Sequence, residues 1–195
     1  RTNKGQKAEF ESILRKTKVS YNYEDESKDV HQKRDKLKAL HRLLELIVTS
    51  EREFVDNILR PHLDKIMNMI SFNIFRPLSA KKASELDAMD EGVDADQIRD
   101  KSWSTLIVVY EIYLHVIKHP AITENMLKYI LTESYIKDIL DLFESENIQE
   151  RDYLKQIVHK LYSKVIKRRK TFRKMFNNHF ISLIYERPTS NGANE

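Results

Sequence analysis

The sequence predicts an all-α protein, and two observations lead to this class. Only three Gly and four Pro occur in 195 residues, too few for the many tight turns of a β-rich architecture. Apolar residues recur at intervals of three and four along most of the chain, as on one face of an α-helix. Hydrophobic residues make up 41% of the sequence, which is enough to build a substantial core.

The N-terminal part begins with a weak helical signal and continues with a strong one. A short helix is indicated from 8 to 16, but the polar stretch around 21–26 shows no period. We therefore expect residues 1–30 to form an arm that is extended or only partly ordered. From Asp35 to Thr49 a clear helical stripe follows; its apolar members are Leu37, Leu40, Leu43, Leu44, Ile47 and Val48.

A second helix and an acidic connector come next. After a short apolar segment, Pro61 is suited to the first turn of a helix that Pro77 ends. Residues 79–101 then carry seven Asp or Glu and few large apolar side chains. The segment lacks the spacing of an EF-hand, so we interpret it as a solvated loop rather than a calcium site.

Three helices are predicted between the connector and residue 144. Ser102 is expected to cap the first, which ends near Pro120, and Thr123 and Ser134 are expected to cap the other two. The first helix carries the longest stripe of this part of the chain, namely Leu106, Val109, Tyr110, Tyr113, Leu114 and Ile117.

The last two predicted helices run from 149 to about 166 and from about 168 to 185. No Gly or Pro separates them, so a single bent helix is an open alternative. Consecutive helix pairs, each too small to bury its own apolar face, suggest stacked hairpins of about 40 residues, the size of HEAT repeats. We thus predict an α-solenoid of HEAT-like antiparallel helix hairpins over 31–195, with a compact helical bundle as the alternative.

Several classes of function find no support in the sequence. The chain has no Cys, which excludes disulfides, Cys-ligated zinc and a thiol nucleophile. It has no Gly-rich phosphate loop, no G-x-S-x-G elbow and no H-E-x-x-H motif. His115 and His119 are four apart, but no third metal ligand follows from their spacing. We therefore predict no enzymatic activity, no cofactor and no metal.

The sequence also bears on where the protein is located in the cell. No apolar run of about 18 residues is present, and the first residues lack the apolar stretch of a signal peptide. We expect a soluble intracellular protein with no membrane contact.

The charge distribution gives the strongest functional signal. Residues 153–185 contain nine Lys or Arg and no Asp or Glu, whereas the net charge of the whole chain is only +4. Such an imbalance needs an acidic partner or a reason to tolerate self-repulsion. Nucleic acid, a membrane surface and an acidic peptide are the partners to consider.

Helical spacing groups the key residues of this basic segment. His159, Tyr162 and Ile166 share one helix face, and Arg169 and Arg173 are four apart on the next helix. If the two helices form a hairpin, both sets converge on a groove whose guanidinium groups can hold carboxylate or phosphate. A solvated basic face with Tyr162 in the core is an equal alternative. A nucleic-acid patch is another, although no RNA-binding or helix-turn-helix signature supports it.

Several motifs, in order and spacing, resemble the B-prime (B′) regulatory subunits of protein phosphatase 2A. They are 73–78 (NIFRPL), Trp103, 109–111 (VYE), 140–146 (LDLFESE), 150–155 (ERDYLK), 159–164 (HKLYSK), 177–178 (NN) and 184–186 (IYE). The resemblance covers about residues 35–195. It implies an α-solenoid of HEAT-like repeats that joins the phosphatase scaffold and catalytic subunits and selects substrates, in the cytoplasm and/or the nucleus. The chain resembles the N-terminal part of that family, about its first three repeats.

The resemblance also implies a role for the basic segment. Family members bind Leu-x-x-Ile-x-Glu motifs in a concave groove. By resemblance, Tyr162, Ile166 and Arg169 surround the Leu and its backbone, while His159 and Lys160 face a phosphoserine or acidic residue after it. Lys160 stands where the family usually has Arg, which keeps the charge but loses the two-pronged contact. The residues that hold the Ile and Glu of the motif are expected in the next repeat.

Overall fold

The computed structural model describes residues 3–49, 51–78 and 101–186, and these form nine α-helices without a strand. The long helices are α1 (Asn3–Thr17), α2 (Val30–Thr49), α4 (Leu63–Ile74), α5 (Trp103–Lys118), α7 (Glu133–Asp141), α8 (Ile148–Lys164) and α9 (Arg169–Glu186). The short ones are α3 (Arg52–Phe54), which continues into a π-helical turn (Val55–Leu59), and α6 (Glu124–Leu127). The predicted acidic connector, apart from its last residue, lies outside the described residues.

Helix α5 is the centre of the fold. It packs against α2, α4 and α8, and Tyr110 and Tyr113 on it are fully buried. The sequence predicted a single apolar face, but Val108, Ile112 and Val116 on other faces are buried as well. The three neighbouring helices explain this, because each covers a different side of α5.

The main helix contacts join helices that are one to three positions apart in the chain. Helix α5 lies between α2 and α8 and packs against both, and α7 packs against α9. A succession of helices that each contact their neighbours is the arrangement of a helical-repeat solenoid. The predicted all-α solenoid class is therefore confirmed.

The N-terminal residues contribute to the core. Helix α1 is longer than the stretch 8–16 that the sequence indicated, and it packs against α2 and the π-helical turn. Phe10 and Ile13 are buried there, and the Thr17 hydroxyl donates a hydrogen bond to the Ile13 carbonyl at 3.0 Å. The division into an arm at 1–30 and repeats at 31–195 stays a prediction.

The capping of three helix starts differs from the sequence prediction. The Thr132 side chain caps α7 by accepting a hydrogen bond from the Tyr135 amide at 3.2 Å, so Ser134 lies inside the helix. Ser102 and Thr123 precede α5 and α6, but their side chains make no capping hydrogen bond. Tertiary packing fixes these two starts instead, because a large apolar side chain in the first turn of each helix, Trp103 in α5 and Leu127 in α6, is buried.

Candidate functional site

A cavity of about 590 Å³ opens between α7, α8 and α9. Its apolar lining comes from Leu140, Phe143, Val158, Phe176 and Phe180, which belong to these helices and to the 3₁₀ turn that follows α7. The volume falls within the range of sites that take small molecules or peptide side chains. Phe180 is half exposed, so part of the apolar surface faces solvent.

Cationic and aromatic groups complete the lining of this cavity. Lys155, His159 and His179 line it together with Arg173 and Tyr162, and none of its lining residues is acidic. His159 and Arg173 are exposed and make no hydrogen bond or ion pair within the described part of the chain. An apolar lining beside the unpaired Arg173 guanidinium and the His159 imidazole can receive a side chain that carries a neighbouring negative charge.

Tyr162 and Arg169 form one stacked unit. The Arg169 guanidinium lies 5.2 Å from the centre of the Tyr162 ring, and its Nε donates a hydrogen bond to the Tyr162 carbonyl at 3.1 Å. The edge of Tyr162 also packs against Phe172, with ring centres 5.9 Å apart. Arg169 therefore satisfies a carbonyl at the end of α8 and holds the tyrosine ring in place.

The junction between α8 and α9 is a break rather than a bend. Helix α8 ends at Lys164, Val165 leaves helical geometry at φ −108° and ψ 74°, and a 3₁₀ turn covers Ile166–Arg168. The single bent helix is thus wrong. Ile166 is 59% exposed and lies in the turn rather than on the helix face that it was predicted to share with Tyr162.

The structure brings together three of the six predicted site residues. His159, Tyr162 and Arg173 line the cavity, and Arg169 contacts it only through Tyr162. Lys160 is half-buried and, like Ile166, is not among the lining residues. Whether these residues bind a peptide stays a prediction.

Sequence reasoning missed the aromatic part of the cavity. It did not include Phe176 and Phe180 among the site residues, yet both line the cavity. Their spacing of three and seven from Arg173 places all three on one face of α9, which was a signal available in the sequence.

Much of the charge in the basic segment is used inside the chain. The Lys164 ammonium donates to the Ile117 carbonyl at 2.7 Å, where burial lowers its pKa, and Arg168 donates to the Lys128 carbonyl at 2.8 Å. Lys174 forms an ion pair with Glu133. These bonds join α8 and α9 to earlier helices, so packing within the chain accounts for part of the segment's charge.

The opposite end of α8 carries a buried polar cluster. The Glu150 carboxylate, fully buried, accepts two hydrogen bonds from Arg76 at 2.8 and 3.1 Å and one from the Tyr110 hydroxyl at 2.6 Å. The Ser145 hydroxyl donates to it as well. Burial raises the pKa of the Tyr110 hydroxyl, and the neighbouring Glu150 carboxylate raises it further. This cluster joins α8 to α5 and to the end of α4.

Two further sequence observations have their place in the structure. His119 Nδ1 accepts a hydrogen bond from the Ala121 amide at 3.1 Å, and burial lowers the pKa of His119. Among the residues that the structure describes, no group of three or more His, Asp or Glu side chains is arranged to hold a metal ion. None of the helices described is both long and apolar enough to cross a membrane.

The chain matches known proteins over its whole length. The family model of the "Protein phosphatase 2A regulatory B subunit (B56 family)" matches residues 1–195. A 56 kDa regulatory subunit delta 1 isoform of serine/threonine-protein phosphatase 2A from Schizosaccharomyces pombe is 32% identical over 177 residues, which are 91% of this chain and 31% of that protein.

Relatives from a plant and a mammal show the same pattern. The Arabidopsis thaliana B' theta isoform is 31% identical over 91% of this chain and 35% of its own length. The mouse alpha isoform is 29% identical over 100% of this chain and 38% of its own length. The chain spans about a third of the length of these relatives. By its match over all 195 residues, the chain belongs to the B56 family of protein phosphatase 2A regulatory B subunits.

Proposed function

We propose that this chain is part of a non-catalytic regulatory subunit of protein phosphatase 2A that recruits substrates with Leu-x-x-Ile-x-Glu motifs. It would link them to the scaffold and catalytic subunits, in the cytoplasm and/or the nucleus. Family membership supports a regulatory role, since the relatives are named as regulatory subunits of this phosphatase. The recruitment of substrates through the Leu-x-x-Ile-x-Glu motif is the more specific part of the proposal.

The observation that carries the proposal is the cavity between α7, α8 and α9. Its apolar lining is wide enough for a Leu side chain, whose burial contributes about 2 kcal/mol. The Tyr162 ring, held by Arg169, offers a flat wall that is already ordered before a ligand arrives. Preorganisation of this kind lowers the entropic cost of binding.

Charge at the rim suits the acidic residues that flank such a motif. Arg173 is an exposed cation beside the apolar lining, the exposed His159 imidazole also lines the cavity, and Lys160 lies next to His159 in sequence. Arg173 can make a two-pronged contact with a carboxylate or phosphate, whereas Lys160 offers a point charge. We therefore expect acidic and phosphorylated flanks to strengthen binding, with a smaller preference for phosphate than an Arg at position 160 would give.

Recruitment would act by local concentration rather than by chemistry. A substrate held through a short motif stays close to the phosphatase while its phosphorylated residues reach the catalytic subunit. A weak motif is sufficient for this role, because the second encounter becomes intramolecular.

Fluorescence anisotropy with a labelled Leu-x-x-Ile-x-Glu peptide tests the motif assignment. A protein that contains this chain and the repeats found in its relatives should bind the peptide, and Tyr162→Ala should weaken binding about 10-fold or more, since the Leu loses an aromatic wall. Arg169→Glu is expected to abolish binding, but it also removes the hydrogen bond that caps α8. Lys170→Ala is the matched control, because Lys170 is exposed and does not line the cavity.

The same assay distinguishes peptide recognition from nucleic-acid binding, the other class that the basic segment suggested. A scrambled peptide should bind at least 10-fold more weakly than the motif. Equal binding of both peptides, together with a steep loss of affinity for single-stranded nucleic acid as salt rises, would contradict the proposal and favour the alternative.

The assembly role requires a separate experiment. A protein that contains this chain and the repeats found in its relatives should co-purify with the phosphatase scaffold and catalytic subunits. Failure of both subunits to co-purify, with the helical fold intact by circular dichroism, would contradict the link to the phosphatase.

A further inference from the structure

A second, smaller cavity lies at the other end of the molecule, where α2, α4 and α5 meet the segment that joins α1 to α2. Its volume is about 140 Å³, and it is lined by residues of all four parts, among them Ser20, Lys36, Asn73 and Thr105. None of its lining residues is Asp or Glu. The volume suits a group the size of a phosphate or a carboxylate with one or two waters.

Lys36 is the unusual member of this cavity. It is only 4% exposed, and its ammonium group donates one hydrogen bond, to the Val19 carbonyl at 2.9 Å. It also lies 6.0 Å from the centre of the Tyr21 ring. No carboxylate lies within ion-pair distance of Lys36 in the described ranges. An ammonium has three donors, so most of its hydrogen-bonding capacity is unused.

A buried charge without a counter-ion is costly, and proteins normally pair such charges. Burial lowers the pKa of Lys36 to about 8, so the group is still mostly charged at neutral pH. Arg76 also lines the cavity, but Glu150 already balances its charge. The excess positive charge at this place is therefore that of Lys36.

Other donors are placed around the same space. The Thr105 side chain is 5% exposed, and its hydroxyl has no hydrogen bond to another described residue. Ser20 also lines the cavity and is exposed, so a ligand can enter from solvent. An ammonium together with hydroxyl groups is the donor set that binds oxyanions.

We propose that this cavity is a binding site for a small oxyanion group, a phosphate or a carboxylate, held by the Lys36 ammonium and the Thr105 hydroxyl. The group could be a free anion or an acidic or phosphorylated side chain of a partner, because both present the same oxygen atoms. The site lies apart from the cavity between α7, α8 and α9 and shares no lining residue with it.

Thermal unfolding of the full chain in phosphate, acetate and chloride at equal ionic strength tests this site. Phosphate or acetate should raise Tm relative to chloride, in proportion to the logarithm of its concentration. Lys36→Met keeps the length of the side chain and should abolish the rise, and Thr105→Val should reduce it. Lys38→Met is the matched control on α2, because Lys38 is exposed, and it should leave the rise unchanged.

Direct binding gives the magnitude and separates the two ligand chemistries. By isothermal titration calorimetry, Lys36→Met should bind the anion about 10- to 100-fold more weakly than the unchanged chain. Stronger binding of phosphate and O-phosphoserine than of acetate would identify a phosphoryl site. Equal binding of acetate would identify a site for any oxyanion, including a carboxylate side chain.

A measurement on the unchanged chain does not depend on the folding of a variant. NMR of a protein with ¹³C-labelled, unmodified lysines should show one amine whose pKa lies near 8 in chloride and rises when phosphate is added, because a bound anion favours the charged form. A pKa that does not move in phosphate, or an anion effect on Tm that Lys36→Met retains in full, would overturn the proposal.

Discussion

The two ends of α8 differ in how their polar groups are satisfied. At the N-terminal end, Glu150 is fully buried and its carboxylate accepts hydrogen bonds from Arg76, Tyr110 and Ser145. Towards the C-terminal end, Val158 and His159 line an open, largely apolar cavity that the Arg173 guanidinium also lines. The polar groups at the N-terminal end thus have their hydrogen-bond partners within the chain, whereas the C-terminal end leaves surface that a ligand can contact.

This difference between the two ends of α8 shows how one helix can be fixed in the core at one end and present a surface to solvent at the other. A buried, fully bonded carboxylate fixes the position of α8 against α5, because any displacement would leave a charge without its partners. Val158 and His159, a little over two turns further along α8, are then held in a fixed place as a wall of the cavity. Changes at the first end should alter stability, and changes at the second should alter binding.

The largest expected effect concerns the buried carboxylate. Glu150→Ala leaves Arg76 and the Tyr110 hydroxyl without their shared partner, so we expect a loss of about 3–5 kcal/mol in the free energy of unfolding. Urea denaturation of the chain measures this. Glu146→Ala is the control, because Glu146 is exposed, and equal effects of the two changes would remove the distinction between the ends.

Tyr110→Phe should have the next largest effect. It keeps the ring in the core but removes the hydrogen bond from the hydroxyl to the Glu150 carboxylate, which is worth about 1.5–3 kcal/mol because the acceptor is charged. The midpoint of the same urea transition should therefore fall without a change in slope. A stability equal to that of the unchanged chain would show that this bond contributes nothing to holding α8.

Arg169→Ala should have an intermediate effect, and it should lower both the stability of the chain and its affinity for the peptide. It removes the hydrogen bond to the Tyr162 carbonyl and the stacking on the ring, together about 1–2 kcal/mol. Peptide binding should weaken as well, since the Tyr162 ring becomes mobile. Arg169→Lys should restore only part of both, because an ammonium cannot stack as a plane; full recovery with Lys would contradict a role for the guanidinium plane.

The smallest effect on stability is expected at the rim. Lys155 pairs with Asp152 at 2.8 Å on the surface of α8, and such a pair contributes about 0–1 kcal/mol. Lys155→Ala should therefore hardly change the urea midpoint. It should weaken the binding of an acidic peptide, because Lys155 also lines the cavity. A rise in salt should reduce the difference between the variant and the unchanged chain.

Several elements of this arrangement could be predicted from the sequence. The apolar period placed α5 and α8 within two residues of their observed bounds, and the spacing of His159 and Tyr162 correctly put both on one face. The break before α9 was harder to foresee, because no Gly or Pro marks it. The Arg169 side chain takes up carbonyls at the end of α8, and only tertiary geometry reveals that.

The buried polar residues could not be predicted in the same way. Glu150 lies in the first turn of α8, where a carboxylate is expected at the surface to favour the helix dipole. Two of its partners, Arg76 and Tyr110, precede it by 74 and 40 positions, and pairs so far apart leave no local pattern in the sequence. Lys36 was likewise hidden, because a lysine between apolar positions ordinarily extends to solvent.

The most direct test of the account is the affinity of Arg173→Ala for a labelled Leu-x-x-Ile-x-Glu peptide, measured beside its stability in urea. Arg173 is exposed, lines the cavity and bonds to no other described residue. We predict about 10- to 100-fold weaker binding with an unchanged urea midpoint, because one charge-assisted contact is lost and no packing is disturbed. Unchanged affinity, with Lys170→Ala as the reference, would contradict the assignment of this cavity as the recognition surface.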